Sequence, residues 1–76
     1  MLKGSRRAVI RSVRAVSIHG QLSFDVRFVD ADDVEGVEHV ARVGAESAPR
    51  VLSPGDRVEI DYLVGVVTGV RRLVDS

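Results

Sequence analysis

The sequence predicts an all-β fold, a small five-stranded barrel, from three observations. Valine is the commonest residue and strong helix formers are not grouped, a balance that favours strands. The stretch from Leu52 to Leu63 joins a Pro54-Gly55 turn to strict alternation. Val58, Ile60 and Tyr62 point one way and Arg57, Glu59 and Asp61 the other, as in a half-buried strand. Finally, five apolar runs are separated by glycine, proline and aspartate, with one longer connection between the third and the fourth. An OB-fold places a helix or loop in that connection, so the expectation is OB-like, with an SH3-like barrel as the alternative.

Taken in order, residues 1–5 read as a disordered start and residues 6–76 as one small domain. From Arg7 to Ile18 valine and isoleucine alternate with arginine, but the apolar side changes parity between Ile10 and Val13. A bulge that bends a long first strand explains such a change; a helix is the competing reading, set aside for the β-branched content. His19-Gly20-Gln21 is a hairpin turn. Leu22, Phe24, Val26 and Phe28 then share the inward face of a second strand, and Asp30-Ala31-Asp32-Asp33 forms a polar loop. A third strand, an edge strand with Val37, His39, Ala41 and Val43 on one side, resumes within 34–43. Ala45 to Ala48 allow one helical turn, and Pro49 to Leu52 pack over one end of the sheet. Val66 to Val74 make the fifth strand, with Gly69 marking a bulge, a sharp bend or a close backbone approach. The expected core is Val9, Val13, Leu22, Phe24, Val26, Phe28, Val37, Val58, Ile60, Tyr62, Val66 and Val70.

Seventy-six residues without cysteine leave a lone core of modest stability, with no disulfide or thiolate site to reinforce it. No apolar run is long enough for a signal peptide or a membrane span within the chain. Eleven basic and eleven acidic residues cancel, yet residues 1–14 carry only basic charge and residues 25–46 are mostly acidic. The absence of cysteine fits a reducing compartment, and so a cytoplasmic location.

Catalysis is not expected. His19 falls in a turn, His39 in a strand beside Glu38, and no serine has a nucleophile context. The carboxylates Asp30, Asp32, Asp33 and Glu35 lack the spacing of a calcium loop and read as a solvated turn. No cofactor and no metal site are expected. Two function classes remain: a non-enzymatic interaction module that binds a protein partner or itself, and an OB-fold that binds single-stranded nucleic acid. The second would use Arg7, Arg11 and Arg14 with Arg71 and Arg72, provided the first and last strands are neighbours. Phe24, Phe28 and Tyr62 all read as inward, leaving no ring outside for a base to stack on.

Ala8-Val9-Ile10, Phe24-Asp25-Val26-Arg27-Phe28 and Pro54-Gly55-Asp56-Arg57-Val58-Glu59-Ile60-Asp61-Tyr62 together resemble the small soluble β-barrels of bacterial membrane-associated proteins. These include the C-terminal OB-fold of NfeD-type proteins and a group of related membrane-anchored barrels. The chain departs from them in lacking membrane helices. The resemblance implies an OB-like fold and a role in interaction or assembly, and it carries over no catalytic residue.

Overall fold

A computed structural model describes residues 3–48 and 52–73. Five antiparallel strands form one sheet: β1 Lys3–Ile18, β2 Gln21–Asp30, β3 His39–Gly44, β4 Arg57–Leu63 and β5 Val66–Arg72. A single 3₁₀ turn, Ala45–Ser47, follows β3. The strand order is β3-β2-β1-β4-β5. All-β content, the edge position of β3 and the helical turn after it are as expected.

β1 organises the sheet. It pairs with β2 from Ala8 to Ile18 and with β4 from Lys3 to Val9. Its sixteen residues would reach about 50 Å if straight, whereas the molecule is 36 Å in its longest dimension. The bend is at the expected place. Register shifts between Ile10 and Ser12, leaving Arg11 as the extra residue of a bulge. That residue lets Ala8, Ile10 and Val13 share one face although their numbering changes parity. Strand therefore begins well before the expected boundary at residue 6; Met1 and Leu2 lie outside the described residues.

β3 and β5 end the strand order and lie close together. No ladder joins them among the described residues, so the sheet is open where a closed barrel was expected. β3 is only six residues long, and the 3₁₀ turn lies against β5 beyond it. No helix among the described residues is long and apolar enough to cross a membrane.

The core unites Ala8, Ile10, Val26, Phe28, Val43, Val58, Ile60 and Val70, with Val13, Phe24, Ala41, Leu52 and Tyr62 packed partly buried against it. Four expected core residues are placed differently, each for a physical reason. Val9 is half-buried on the face opposite Ala8 and Ile10, as the bulge requires. Leu22 is exposed because it adjoins the hairpin turn, past the end of the core. Val37 is 74% exposed because β3 starts only at His39. Val66 is exposed because Tyr62 pairs with Val67 while Asp61 pairs with Gly69, so Thr68 is an extra residue. Counting back from Val70 across that residue puts Val67, not Val66, on the core side. Of the readings offered for Gly69, a bulge is present beside it. Val74 and residues 49–51 lie outside the described residues.

Both tight hairpins have positive φ at their two central residues: His19 at 51° and Gly20 at 80°, Val64 at 54° and Gly65 at 78°. Such pairs match the right-handed twist of the flanking strands and favour Asn-Gly. A β-branched residue there is strained by about 1–2 kcal/mol. Val64→Asn should therefore raise stability by about 1 kcal/mol, a rise in Tm of roughly 4–8 °C for a domain of this size. Val64→Ala, still an L residue with a Cβ, should gain much less. Thermal unfolding of the pair checks this, and equal gains would contradict the strain at this turn.

Candidate interaction surface

The face of the sheet away from the core carries two charged rows, besides the buried Val29 and the half-buried Val9 paired with it. Arg7 of β1, Glu59 of β4 and Arg71 of β5 stand in one row, and Arg14, Asp25 and Arg42 stand in another across β1, β2 and β3. Each row places a carboxylate on the middle strand between two guanidinium groups. Strand alternation set these side chains outward; the strand order set their partners.

Bonding within the rows is one-sided. Arg42 donates from Nε and Nη2 to the two carboxylate oxygens of Asp25, at 2.7 and 3.0 Å. Arg71 forks in the same way onto Asp61, at 2.9 Å for both bonds, and its Nη2 lies 3.4 Å from Glu59 Oε1. Arg72 donates to Asp56, Arg6 to Asp30 and Arg27 to Glu38. Ser5 Oγ donates to Glu59. These pairs are exposed, so each contributes little to stability.

The Arg42 fork, chiefly through its hydrogen bonds, holds the Asp25 carboxyl below its ordinary value of 3.8; partial desolvation opposes this, and the charges of Arg42, Arg14 and Arg27 add to it. A carboxyl with a lowered folded-state pKa contributes stability that is complete above its unfolded pKa and is lost as pH falls through the folded one. Asp25→Asn should therefore lie below the native chain in urea midpoint at neutral pH, and the gap should close in acid. A gap that persists unchanged at pH 2 would contradict this.

Of the five arginines that the alternative, nucleic-acid reading would use, Arg71 and Arg72 are engaged with carboxylates. The first and last strands are not neighbours, because β4 lies between them. Arg7 and Arg71 nonetheless flank the same Glu59. Arg11 sits in the bulge and Arg14 farther along β1, so the five do not gather into one patch. Among the described residues, Arg7, Arg11 and Arg14 have no carboxylate within ion-pair distance. Arg57 joins them. It stands opposite Val9, on the same face as Arg7. Its outward side was legible from alternation; its nearness to Arg7 needed the β1–β4 pairing.

The rings are turned inward or half-covered. Phe28 is 2% exposed and stacks on His39 at 5.4 Å between centroids. Phe24 and Tyr62 are half-buried against the core. Burial raises the Tyr62 hydroxyl above its ordinary pKa of 10.0, with Arg6 opposing and Asp30 adding. The exposed large apolar residues lie mostly at chain reversals: Ile18 and Leu22 at one hairpin, Leu63, Val64 and Val66 at the other, and Val34 and Val37 in the loop before β3. A groove of about 600 Å³ beside Tyr62 and Leu63 is lined by Ser5, Asp61, Thr68 and Arg71, and by neither histidine. Comparison with protein-family models, with curated proteins and with solved structures finds no match.

Proposed function

We propose that this chain is a non-enzymatic interaction module with an OB-like barrel plan, which takes a protein partner in preference to single-stranded nucleic acid. The plan is supported by β1 pairing with both β2 and β4, by the helical turn after β3 and by the approach of β5 to β3. The resemblance to the soluble barrels of bacterial membrane-associated proteins fits the same role. The observation that carries the reading is the disposition of the rings. A single strand held without sequence preference needs exposed aromatic faces as well as cations, and here Phe28 is buried while Phe24 and Tyr62 lean on the core.

One observation favours the second reading: Arg7, Arg57, Arg11 and Arg14 follow β1 with no carboxylate within ion-pair distance among the described residues. Titration of labelled mixed-sequence single-stranded DNA and RNA at low salt decides between them. The module reading expects no saturable change in anisotropy. Saturable binding that falls steeply with salt, and is lost in Arg11→Ala/Arg14→Ala, would establish nucleic-acid binding instead.

A further inference from the structure

We infer that the free edge of β1, from Arg11 to Ser17, is a strand-addition site for an extended peptide that alternates acidic and apolar residues. This rests on the interaction-module reading and names its partner. Three observations converge on it.

The first is an unpaired edge. The β1–β4 ladder ends at Val9, and the last backbone bonds on that side are Ile10 N to Asp56 O and Gly55 N to Ile10 O, at 2.9 and 2.7 Å. Beyond Ile10, among the described residues, β1 has β2 on one side and no strand on the other. Opposed residues of an antiparallel pair alternate between bonding each other and pointing their backbone groups away. In a two-residue hairpin the pair that closes the turn, here Ile18 and Gln21, is a bonded one. Ser12, Arg14 and Val16 therefore bond to β2. Val13, Ala15 and Ser17 turn their N–H and C=O groups to the free edge. The outward bonds of Ile10 fit the same alternation.

The second is charge. No acidic residue precedes Asp25 in the sequence. Asp25, opposite Arg14, already gives both oxygens to Arg42. The edge thus carries Arg11 and Arg14 with no carboxylate within ion-pair distance among the described residues. A second copy pairing along the same edge would bring up another strand with arginines and no acidic residue, which disfavours it. An acidic strand is the complement.

The third is spacing. Because Arg11 is the extra residue beside Ser12, it and Arg14 lie two rungs apart on the outer face, about 7 Å along the strand. Acidic residues at alternate positions of an added strand meet both. The intervening positions fall on the side of Val13, which packs against the core, and of Ala15. Main-chain bonds supply affinity in this mode of recognition, and alternate side chains supply specificity.

The test uses the full chain and a fluorescein-labelled octapeptide of alternating glutamate and valine, followed by anisotropy and by amide spectra. The expected result is saturable binding with protection of the Val13, Ala15 and Ser17 amides, and none with the lysine-valine counterpart. Ala15→Pro removes an edge N–H without touching the β2 ladder and should abolish binding. Arg11→Glu/Arg14→Glu should weaken it at least tenfold, which keeps the test decisive if the proline variant misfolds. Absence of saturable peptide binding, or binding indifferent to both variants, overturns the proposal. Edge protection that grows with protein concentration alone assigns the edge to a second copy and overturns it too. If neither peptide nor oligonucleotide binds, strand addition fails while the module reading stands; if the oligonucleotide binds through Arg11 and Arg14, both fail.

Discussion

Phe28→Ala should remove most of the stability of this domain. Phe28 is the largest fully buried side chain, it sits among Ile10, Val26 and Ile60 in the core cluster, and its ring stacks on His39 at 5.4 Å. Truncating a buried phenylalanine costs about 3–5 kcal/mol, the lost transfer energy plus a cavity that the neighbours only partly fill. Native domains hold about 0.05–0.15 kcal/mol per residue, so a chain of 76 residues has little to spare. The urea midpoint of Phe28→Ala should fall close to zero, while Phe24→Ala, half-buried at the same face, should lose about half as much. A loss below about 1.5 kcal/mol at Phe28 would mean that the core is not where it is described.

Deletion of Arg11 should rank next, and its contrast with substitution is informative. Arg11→Ala keeps the bulge and changes only an exposed side chain, an effect within about 0.5 kcal/mol. Deletion removes the residue that lets Ile10 and Val13 share a face. The strand must then turn one of its halves over, because a one-residue slip moves every side chain to the other side. Either Ala8 and Ile10 leave the core, or Arg14 rotates in beside Phe24. Exposing one isoleucine alone costs about 1.5–3 kcal/mol, so the deletion should cost about 3 kcal/mol. Urea unfolding of the two variants checks this; equal stabilities would contradict the bulge.

That bulge was legible because it leaves a mark on the sequence: apolar residues change parity between Ile10 and Val13 in a run otherwise rich in strand formers. The turns were legible from Gly20 and Gly65, which accept positive φ readily. Val64, beside Gly65, gave no such signal, since a β-branched residue disfavours that conformation. The second bulge was only half legible. Gly69 hinted at it, but the extra residue is Thr68, and without that position Val66 was assigned inward in place of Val67. Long-range facts were the least visible. Alternation turned Arg57, Glu59, Asp61 and Arg71 outward, yet nothing local says that β4 lies between β1 and β5. The condition set for the arginines of the first and last strands to converge, that those strands be neighbours, is not met. Arg71 pairs instead with Glu59 and Asp61 across the sheet, and Arg42 takes Asp25. The free edge past Ile10 was hidden for the same reason, because it depends on where the β4 ladder stops.

The most direct test of this account is residue-resolved amide hydrogen exchange along β1 in the isolated chain. With β2 as the sole neighbour beyond Ile10 among the described residues, the amides of Arg14, Val16 and Ile18 should be protected, while those of Val13, Ala15 and Ser17 exchange at near-unfolded rates. Uniform protection from Val13 to Ile18 would show a second neighbour on that side, and the open edge on which strand addition depends would not exist.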